Sequence, residues 1–270
     1  MIQAHNLSLI FQDGQLSLPV LQGIHLHIER GEWLALTGAN GCGKSSLIRT
    51  FNGLLMPSAG SLTAAGLDLR SPINRKTVKE RIQLVFQNPE SQTIGSTPAE
   101  DIAFGLENRG IPQTEMQDRI EVLLGKVGLA QKAGDDVSTL SGGERQRLAV
   151  ASCLALDAEM IIFDEVTSML DPIGRQEIFS LARDLWKQGT TVVWVTQRME
   201  ELSESPRIAV MEEGKIIYDG DPRSLFYASP LPDKLGWDLP PVLGIGRLLQ
   251  SQGWAKENLP LTESDLEGIL

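Results

Sequence analysis

The sequence WLALTGANGCGKSSLIRTF, residues 33–51, places a glycine-rich turn between two segments with different patterns. Residues 33–37 are an apolar run that predicts a buried strand, whereas residues 44–51 predict a helix, which Gly53 would end. Between them, residues 38–45 satisfy the pattern G-x-x-x-x-G-K-S. The glycines let backbone N–H groups surround a phosphate, and the positive end of the following helix adds to the attraction. Strand, loop and helix in this order predict an α/β fold with a phosphate-binding loop.

The residue types in this loop, called the phosphate loop (38–45) below, indicate a nucleotide and a magnesium ion. Lys44 can reach the β- and γ-phosphates, and Ser45 can ligate Mg²⁺. Cys42 is interpreted as a neutral spacer rather than a catalytic thiol. The predicted nucleotide contacts of this segment are Gly38, Ala39, Asn40, Gly41, Cys42, Gly43, Lys44, Ser45 and Ser46.

A second segment, MIIFDE at residues 160–165, is an apolar strand that ends in two carboxylates. Asp164 at the end of the strand would hold the Mg²⁺ shell, and Glu165 would polarise an attacking water near the γ-phosphate. The alternative is that one of the two acids only caps a helix. The phosphate loop upstream favours the catalytic interpretation.

The rest of the chain alternates between strand and helix patterns. Residues 24–28 alternate as a β-strand, and residues 82–86 predict another; 191–195 suit a central parallel strand, and 207–218 a hairpin. Residues 88–137 change character and predict inserted helices. From residue 221 the chain is rich in proline, with two short helices predicted and a capping box at 262–265.

The order of the motifs resembles that of ATP-binding-cassette (ABC) ATPases over residues 1 to about 220. The phosphate loop is followed by Gln87, then LSGGERQR at 140–147 (the signature segment), then Asp164 and Glu165, then SMLD at 168–171. The resemblance implies a P-loop NTPase core of RecA-like α/β type. An antiparallel β subdomain and a helical subdomain inserted at about 88–140 would complete residues 1–220.

The same resemblance implies roles for further residues. Phe11 would stack on adenine, although an ordinary core aromatic is the alternative. Gln87 would contact Mg²⁺ and the attacking water. The residues that would serve the ATP of a second subunit, in trans, are Ser141, Gly142, Gly143, Glu144 and Asp171. The alternative for 140–147 is a solvated basic helix start, for which two glycines would be a costly choice.

One position departs from the family pattern. The residue that normally contacts the γ-phosphate after the strand at 191–195 is histidine, and here it is Gln197. All three histidines of the chain lie within the first 27 residues, so none can substitute locally. A glutamine amide can donate a hydrogen bond, but it cannot take up a further proton or carry a positive charge. We therefore expect ATP binding with slowed hydrolysis, or a site in which Glu165 suffices and Gln197 only orients.

More specific resemblance lies in VFQNPESQ at 85–92, PAEDIAFGLEN at 98–108, and the tail segments GWDLPPV and LTESDL at 236–242 and 261–266. These are similar to the ATPases of energy-coupling-factor (ECF) transporters, including cobalt and nickel importers. The resemblance implies a C-terminal dimerisation extension at 221–270 and a homo- or heterodimer. It also implies membrane T and S subunits that carry a vitamin or metal ion, with this chain peripheral at the cytoplasmic face.

Acidic residues near the helical region are candidate contacts for arginines of the T subunit, with simple surface charge as the alternative. They are Glu90, Glu100 and Asp101. A non-transport ABC ATPase and a low-turnover regulatory cassette are the competing functions; Gln197 favours the second, and the intact catalytic motifs oppose it.

The overall composition limits the other classes of function. A formal net charge of -11 argues against broad nucleic-acid binding. No apolar run approaches the roughly 18–20 residues that span a bilayer, and no signal peptide is apparent. Cys42 and Cys153 are distant in the sequence, which predicts two free thiols rather than a disulfide.

Overall fold

The computed structural model describes residues 1–14, 16–253 and 259–268. Within them the strands are β1 (Ile2–Asp13), β2 (Leu16–Ile28), β3 (Trp33–Gly38), β4 (Ala59–Ala64), β5 (Leu67–Asp68), β6 (Ile82–Val85), β7 (Met160–Asp164), β8 (Thr191–Val195), β9 (Ile208–Glu212) and β10 (Lys215–Gly220). The helices are α1 (Lys44–Phe51), α2 (Pro72–Arg81), α3 (Pro98–Asn108), α4 (Gln113–Lys126), α5 (Gly142–Leu154), α6 (Pro172–Lys187), α7 (Met199–Ser203), α8 (Leu231–Lys234), α9 (Pro241–Ser251) and α10 (Glu263–Glu267).

The central sheet places the predicted catalytic motifs at one edge. Its strand order is β10-β9-β3-β8-β7-β6, and the pairs β9–β3, β3–β8, β8–β7 and β7–β6 are parallel. Strands β3, β7 and β8 are buried along their whole length, as continuous apolar runs predict. Because parallel strands end at the same edge of a sheet, the segments that follow β3, β7 and β8 lie side by side.

The second sheet is antiparallel, with strand order β2-β1-β4-β5. The alternation predicted at 24–28 is confirmed, since Ile24, Leu26 and Ile28 are buried and the residues between them are not. Phe11 on β1 pairs with Leu18 on β2 and is 41% exposed. The alternative that Phe11 is a core aromatic is therefore wrong.

Helices α3, α4 and α5 pack on one another between β6 and β7 in the sequence. Their shared core includes Ile102, Leu106, Leu124 and Leu148, all of which are buried. Helices were predicted for this region from its apolar periodicity. The expected limits of the inserted subdomain, about 88–140, stay a prediction.

The C-terminal region packs on the back of the central sheet. Phe226, in a π-helical turn at Ser224–Ala228, joins Leu243 of α9 in one core with Ala35 and Val210 of the sheet. The two predicted helices and the capping box are present, with Thr262 accepting from the Asp265 amide. The π-helical turn and α8 were not predicted. On α9 Val242 and Leu243 are buried, whereas Ile245 and Leu248 are 41% and 60% exposed.

Among the described residues, no helix is both long enough and apolar enough to cross a bilayer. Cys42 and Cys153 are both buried and free, as predicted. Burial raises the pKa of the Cys42 thiol and raises that of Cys153 to about 12. Both are therefore neutral thiols at pH 7, in keeping with a spacer role for Cys42.

Candidate functional site

The phosphate loop follows a path that only glycine permits at two positions. Gly38 has φ 144°, and a Cβ added there would lie 2.2 Å from the carbonyl oxygen of Met211 on β9. Gly43, the N-cap of α1, has φ 108°, and its Cβ would lie 2.9 Å from the carbonyl oxygen of Val20 on β2. The loop is therefore held tightly between both sheets.

Lys44 begins α1 and is turned inward beside the loop. Its side chain is 5% exposed, and Nζ donates to the carbonyl oxygens of Gly38, at 2.8 Å, and Ala39, at 3.3 Å. The same Nζ lies 3.4 Å from Oε1 of Glu165. A buried ammonium held by two loop carbonyl oxygens and a carboxylate, at the start of a helix, is suited to receive phosphate oxygens.

The two carboxylates of the DE pair occupy different environments. Asp164 ends β7 and is 2% exposed; its Oδ1 accepts a hydrogen bond from Ser45 Oγ at 3.3 Å. Burial raises the pKa of Asp164, and the Ser45 hydrogen bond opposes that rise. Glu165 has φ 50°, a strained value for a residue with a side chain, and its amide donates to Val195 on β8.

Neither acid caps a helix. The next helix, α6, is capped by Asp171, whose side chain accepts from the Gly174 amide at 2.7 Å. The alternative of a helix-capping role for Asp164 or Glu165 is therefore wrong. The strained turn instead directs Glu165 towards the phosphate loop.

Glu165 is the centre of a hydrogen-bond network that joins three strand ends. Its Oε2 accepts from Gln87 Nε2 at 3.2 Å, and its Oε1 accepts from Gln197 Nε2 at 3.0 Å. Gln197 also donates to Asn40 Oδ1 in the phosphate loop, at 2.6 Å. The structure thus brings together the three residues predicted to act in hydrolysis. The link through Asn40 was not predicted, because nothing in the sequence pairs these two amides.

A polar cavity of about 260 Å³ lies over the phosphate loop. Its lining residues are Val20, Asn40, Gly41, Gly43, Lys44, Ser45, Ser46, Gln87 and Glu165. The chemistry of the site fits magnesium, because Ser45 in the lining and the carboxylate of Asp164, to which Ser45 donates, supply hard oxygen ligands. Mg²⁺ is usually bound by one or two carboxylates together with substrate phosphates and water. No cluster of three His, Cys, Asp or Glu ligands occurs among the described residues.

Phe11 does not line this cavity, but the strand register places it near. Val20 lines the cavity, and Leu18 lies two residues before it on β2. Phe11 is the cross-strand partner of Leu18. An exposed aromatic on this part of the β1–β2 pair is suited to a nucleotide base.

The signature segment forms the exposed N-terminus of α5, away from the cavity. Ser141 caps the helix in a capping box: its Oγ accepts from the Glu144 amide, and its own amide donates to Glu144 Oε2 at 2.9 Å. Lys132 Nζ lies 2.8 Å from Glu144 Oε1. The Lys132 ammonium, followed by the Ser141 amide, lowers the pKa of Glu144 to about 2.

This helix start is not a solvated basic one. Arg145 donates to the Leu140 carbonyl and pairs with Glu90 at 2.5 Å, while Gln146 is fully buried and donates to the Phe86 carbonyl. The basic-helix alternative is therefore wrong. Gln146 also ties α5 to the residue before Gln87, a contact that the sequence analysis missed.

The acidic candidates for a membrane partner differ in accessibility. Asp101 is 7% exposed, and its carboxylate accepts from the amides of Ile94 and Gly95 and from the Ser152 hydroxyl. It has an internal structural role, so its prediction as an outward contact is wrong. Glu90 is 66% exposed but pairs with Arg145, and Glu100 accepts from the Ser96 amide.

Comparisons with known proteins agree with this geometry. The family model described as "ABC transporter" matches residues 21–168. The energy-coupling factor transporter ATP-binding protein EcfA1 of Caldanaerobacter subterraneus is 39% identical, with 93% of this chain and 92% of that protein covered. The protein of the same name from Bacillus subtilis is 40% identical, with coverages of 91% and 88%.

Solved structures give the same result. The cbiO1 protein of Clostridium perfringens, described as part of the ABC transporter complex cbiONQ, superposes with a TM-score of 0.75 at 30% identity, covering 90% of this chain and 97% of that one. An ATP-binding cassette solved as a dimer with ADP and Pi has a TM-score of 0.76 at 24% identity, covering 82% and 98%. At that identity the second structure supports the fold alone.

Proposed function

The chain belongs to the ABC transporter family, among the energy-coupling factor ATP-binding proteins, and we propose that its ATP hydrolysis drives solute uptake through a membrane complex. ATP binding and hydrolysis follow from the family. The further steps, namely the role of each residue, the dimer, the membrane subunits and the solute, are proposals. The observation that best supports the proposed roles in hydrolysis is the convergence of Lys44, Gln87 and Gln197 on the carboxylate of Glu165.

In the proposed mechanism the phosphate loop binds the β- and γ-phosphates through its backbone amides and Lys44. Ser45, Asp164 and Gln87 would hold Mg²⁺, which supplies positive charge to the phosphoryl group when bound. Glu165 orients and deprotonates the attacking water, and Gln87 fixes the direction of that carboxylate. Gln197 donates a hydrogen bond where relatives of this family place a histidine, so it orients without supplying a proton.

The proposed active unit is a head-to-tail dimer. Ser141, Gly142 and Gly143 present the N-terminus of α5 to the γ-phosphate held by the other subunit, with Glu144 fixing the helix start. Asp171 would lie at the seam while capping α6. Phe11 would stack on adenine, given its exposure beside Leu18.

We assign residues 221–270 to a dimerisation extension and residues 1–220 to the ATPase domain. The exposed apolar side chains Ile245 and Leu248 on α9 support this, since large apolar groups exposed together often mark an interface. A partner copy seated there would hold the two subunits together between ATP cycles.

We propose that the complex lies at the cytoplasmic face of the membrane, with this chain as a peripheral subunit. The chain would bind a T subunit, which in turn is joined to a solute-binding S subunit. A vitamin or a transition-metal ion is the proposed cargo, as the resemblance of the sequence to energy-coupling-factor ATPases implies. The non-transport alternative is not favoured, because the relatives are named as transporter subunits. Gln197 is the one observation that favours a low-turnover cassette within such a complex.

Affinity purification of the full chain from detergent-solubilised membranes tests this proposal. We expect membrane proteins to co-purify, and ATPase activity of the purified complex to fall in Glu165→Gln. Charge reversal at Glu100, which bonds only to a backbone amide among the described residues, should weaken co-purification, while the buried Asp101 is unsuitable for this test. The proposal would be contradicted if the chain were recovered without membrane proteins and Glu165→Gln left its ATPase activity unchanged.

A further inference from the structure

Glu201 is a buried carboxylate that the mechanism above does not use. It lies on α7, four residues after Gln197, and is 7% exposed. A buried carboxylate is stable only when hydrogen bonds satisfy it. Here Oε1 accepts from Thr167 Oγ1 at 2.8 Å, Oε2 accepts from Trp194 Nε1 at 2.8 Å, and Arg198 Nε lies 3.7 Å away.

The two donors belong to different kinds of structure. Trp194 is in the middle of the sheet, stacked on Trp33 at 5.7 Å and in contact with Phe163 and Phe179 at 5.1 Å each. Thr167 instead lies in the irregular segment 165–171, two residues after Glu165 and four before Asp171. Glu201 therefore joins a segment without regular structure to a fixed aromatic cluster.

The same segment carries the carboxylate on which Gln197 acts. The Glu165–Gln197 hydrogen bond is 3.0 Å long and is made by side chains from two different loops. One of these loops begins at Glu165 and is held at Thr167; the other runs from residue 196 to residue 198, contains Gln197, and leads into α7, which carries Glu201. The two loops are thus linked twice, once by the Glu165–Gln197 hydrogen bond and once by the Thr167–Glu201 hydrogen bond, so that the position of one loop affects that of the other.

We propose that Glu201 is a positioning residue for ATP hydrolysis, holding the segment 165–171 against α7 so that Glu165 and Gln197 keep their mutual geometry. The proposal rests on the roles assigned to Glu165 and Gln197 above. A misplacement of about 1 Å costs on the order of a hundredfold in rate when reacting groups must be aligned. The phosphate loop itself does not touch Glu201, so nucleotide affinity should be spared.

Steady-state ATPase and equilibrium ATP binding of the full-length dimer test this. Thr167→Val keeps the shape of the side chain and removes one hydrogen bond; we expect kcat to fall about tenfold with Kd for ATP changed less than twofold. Glu201→Leu removes both bonds and should lower kcat further. Glu201→Gln should retain most activity, because its amide can accept from Trp194 and donate to the Thr167 hydroxyl. Glu200→Gln, on the exposed side of the same helix, is the matched control.

A double-mutant cycle separates positioning from general destabilisation. If Glu201 acts through the Glu165–Gln197 pair, Thr167→Val should cost little further rate once Gln197→Ala has removed that pair. Additive losses, or an unchanged kcat in folded Thr167→Val, would overturn the proposal. If Glu201→Leu does not fold, Thr167→Val still decides the question. Full activity of Glu165→Gln would instead refute the proposed catalytic role, with the Glu201 hydrogen bonds untouched.

Discussion

The molecule has two surfaces suited to phosphate. The first surrounds Lys44, and the second, called the outward surface below, is the start of α5 at Ser141. They are built in opposite ways. Around Lys44, which is itself buried, the side chains are bonded to one another: Glu165 accepts from the exposed amides of Gln87 and Gln197 and faces the Lys44 ammonium. At Ser141 the start of α5 is exposed, with its capping box satisfied internally. The first surface is complete within one chain, whereas the second has its donors directed outward.

The glycines sharpen this difference. Gly38 and Gly43 are required by the fold itself, because a Cβ at either would collide with a backbone carbonyl oxygen. Gly142 has no atom within 4 Å of an added Cβ, and its φ is not positive. The chain alone would therefore accept a side chain at Gly142.

The largest expected effect breaks the first surface. Glu165→Gln keeps the shape of the side chain but removes the base, so we expect kcat for ATP to fall by about a hundredfold or more with ATP binding retained. Phosphate release and nucleotide binding measure the two quantities. Glu204→Gln, at an exposed ion pair with Arg183, should leave both unchanged. A loss of less than about tenfold would show that another group activates the water.

The next effect tests the outward surface. In Gly142→Asp an acidic side chain enters the first turn of α5, where the helix dipole stabilises it, so thermal stability should not fall. The same charge would repel a phosphate bound in trans, and we expect turnover to drop about tenfold or more. Gly142→Ala is the matched control. A stable Gly142→Asp protein with normal turnover would contradict a trans role for the signature segment.

A mixture of two variants, each impaired alone, tests whether the two surfaces come from different chains. A dimer of one Gly142→Asp subunit and one Lys44→Ala subunit has one site in which both surfaces are intact, provided that the surfaces come from different chains. We expect mixing to restore part of the activity that each variant lacks alone. No recovery, with mixed dimers shown to form, would mean that both surfaces act within one chain.

The sequence predicted the parts of this site that obey local rules. The phosphate loop, α1 and the DE pair at the end of β7 follow from glycine placement and apolar runs, and the structure agrees at each. It did not predict contacts between distant segments, such as Asn40 with Gln197 or Glu201 with Thr167, because these depend on which strand ends become neighbours. The burial of Asp101 was not predicted for a similar reason. An acid early in α3 is expected to be exposed, but the amides of the loop at 94–95 donate hydrogen bonds to its carboxylate.

A smaller effect on turnover is expected from a substitution of Gln197, which belongs only to the first surface. In Gln197→His the imidazole can donate as the amide does and can also carry charge, so we expect steady-state turnover to rise by roughly threefold to tenfold. The gain should depend on pH around the histidine pKa of about 6.5, which the wild type would not show. Unchanged or lower turnover would mean that Gln197 only orients Glu165 and Asn40.

The smallest effect concerns the helix start that supports the outward surface. The pKa of Glu144 is lowered to about 2, chiefly by Lys132, so its contribution to stability is present above the unfolded pKa near 4.5 and is lost as pH falls towards 2. Because the pair lies near the surface, we expect Glu144→Gln to lower the free energy of unfolding by only about 1 kcal/mol at pH 7. Urea unfolding at several pH values measures this, with the exposed Glu107→Gln as control. A difference that persists unchanged at pH 2.5 would mean that shape rather than charge holds the capping box together.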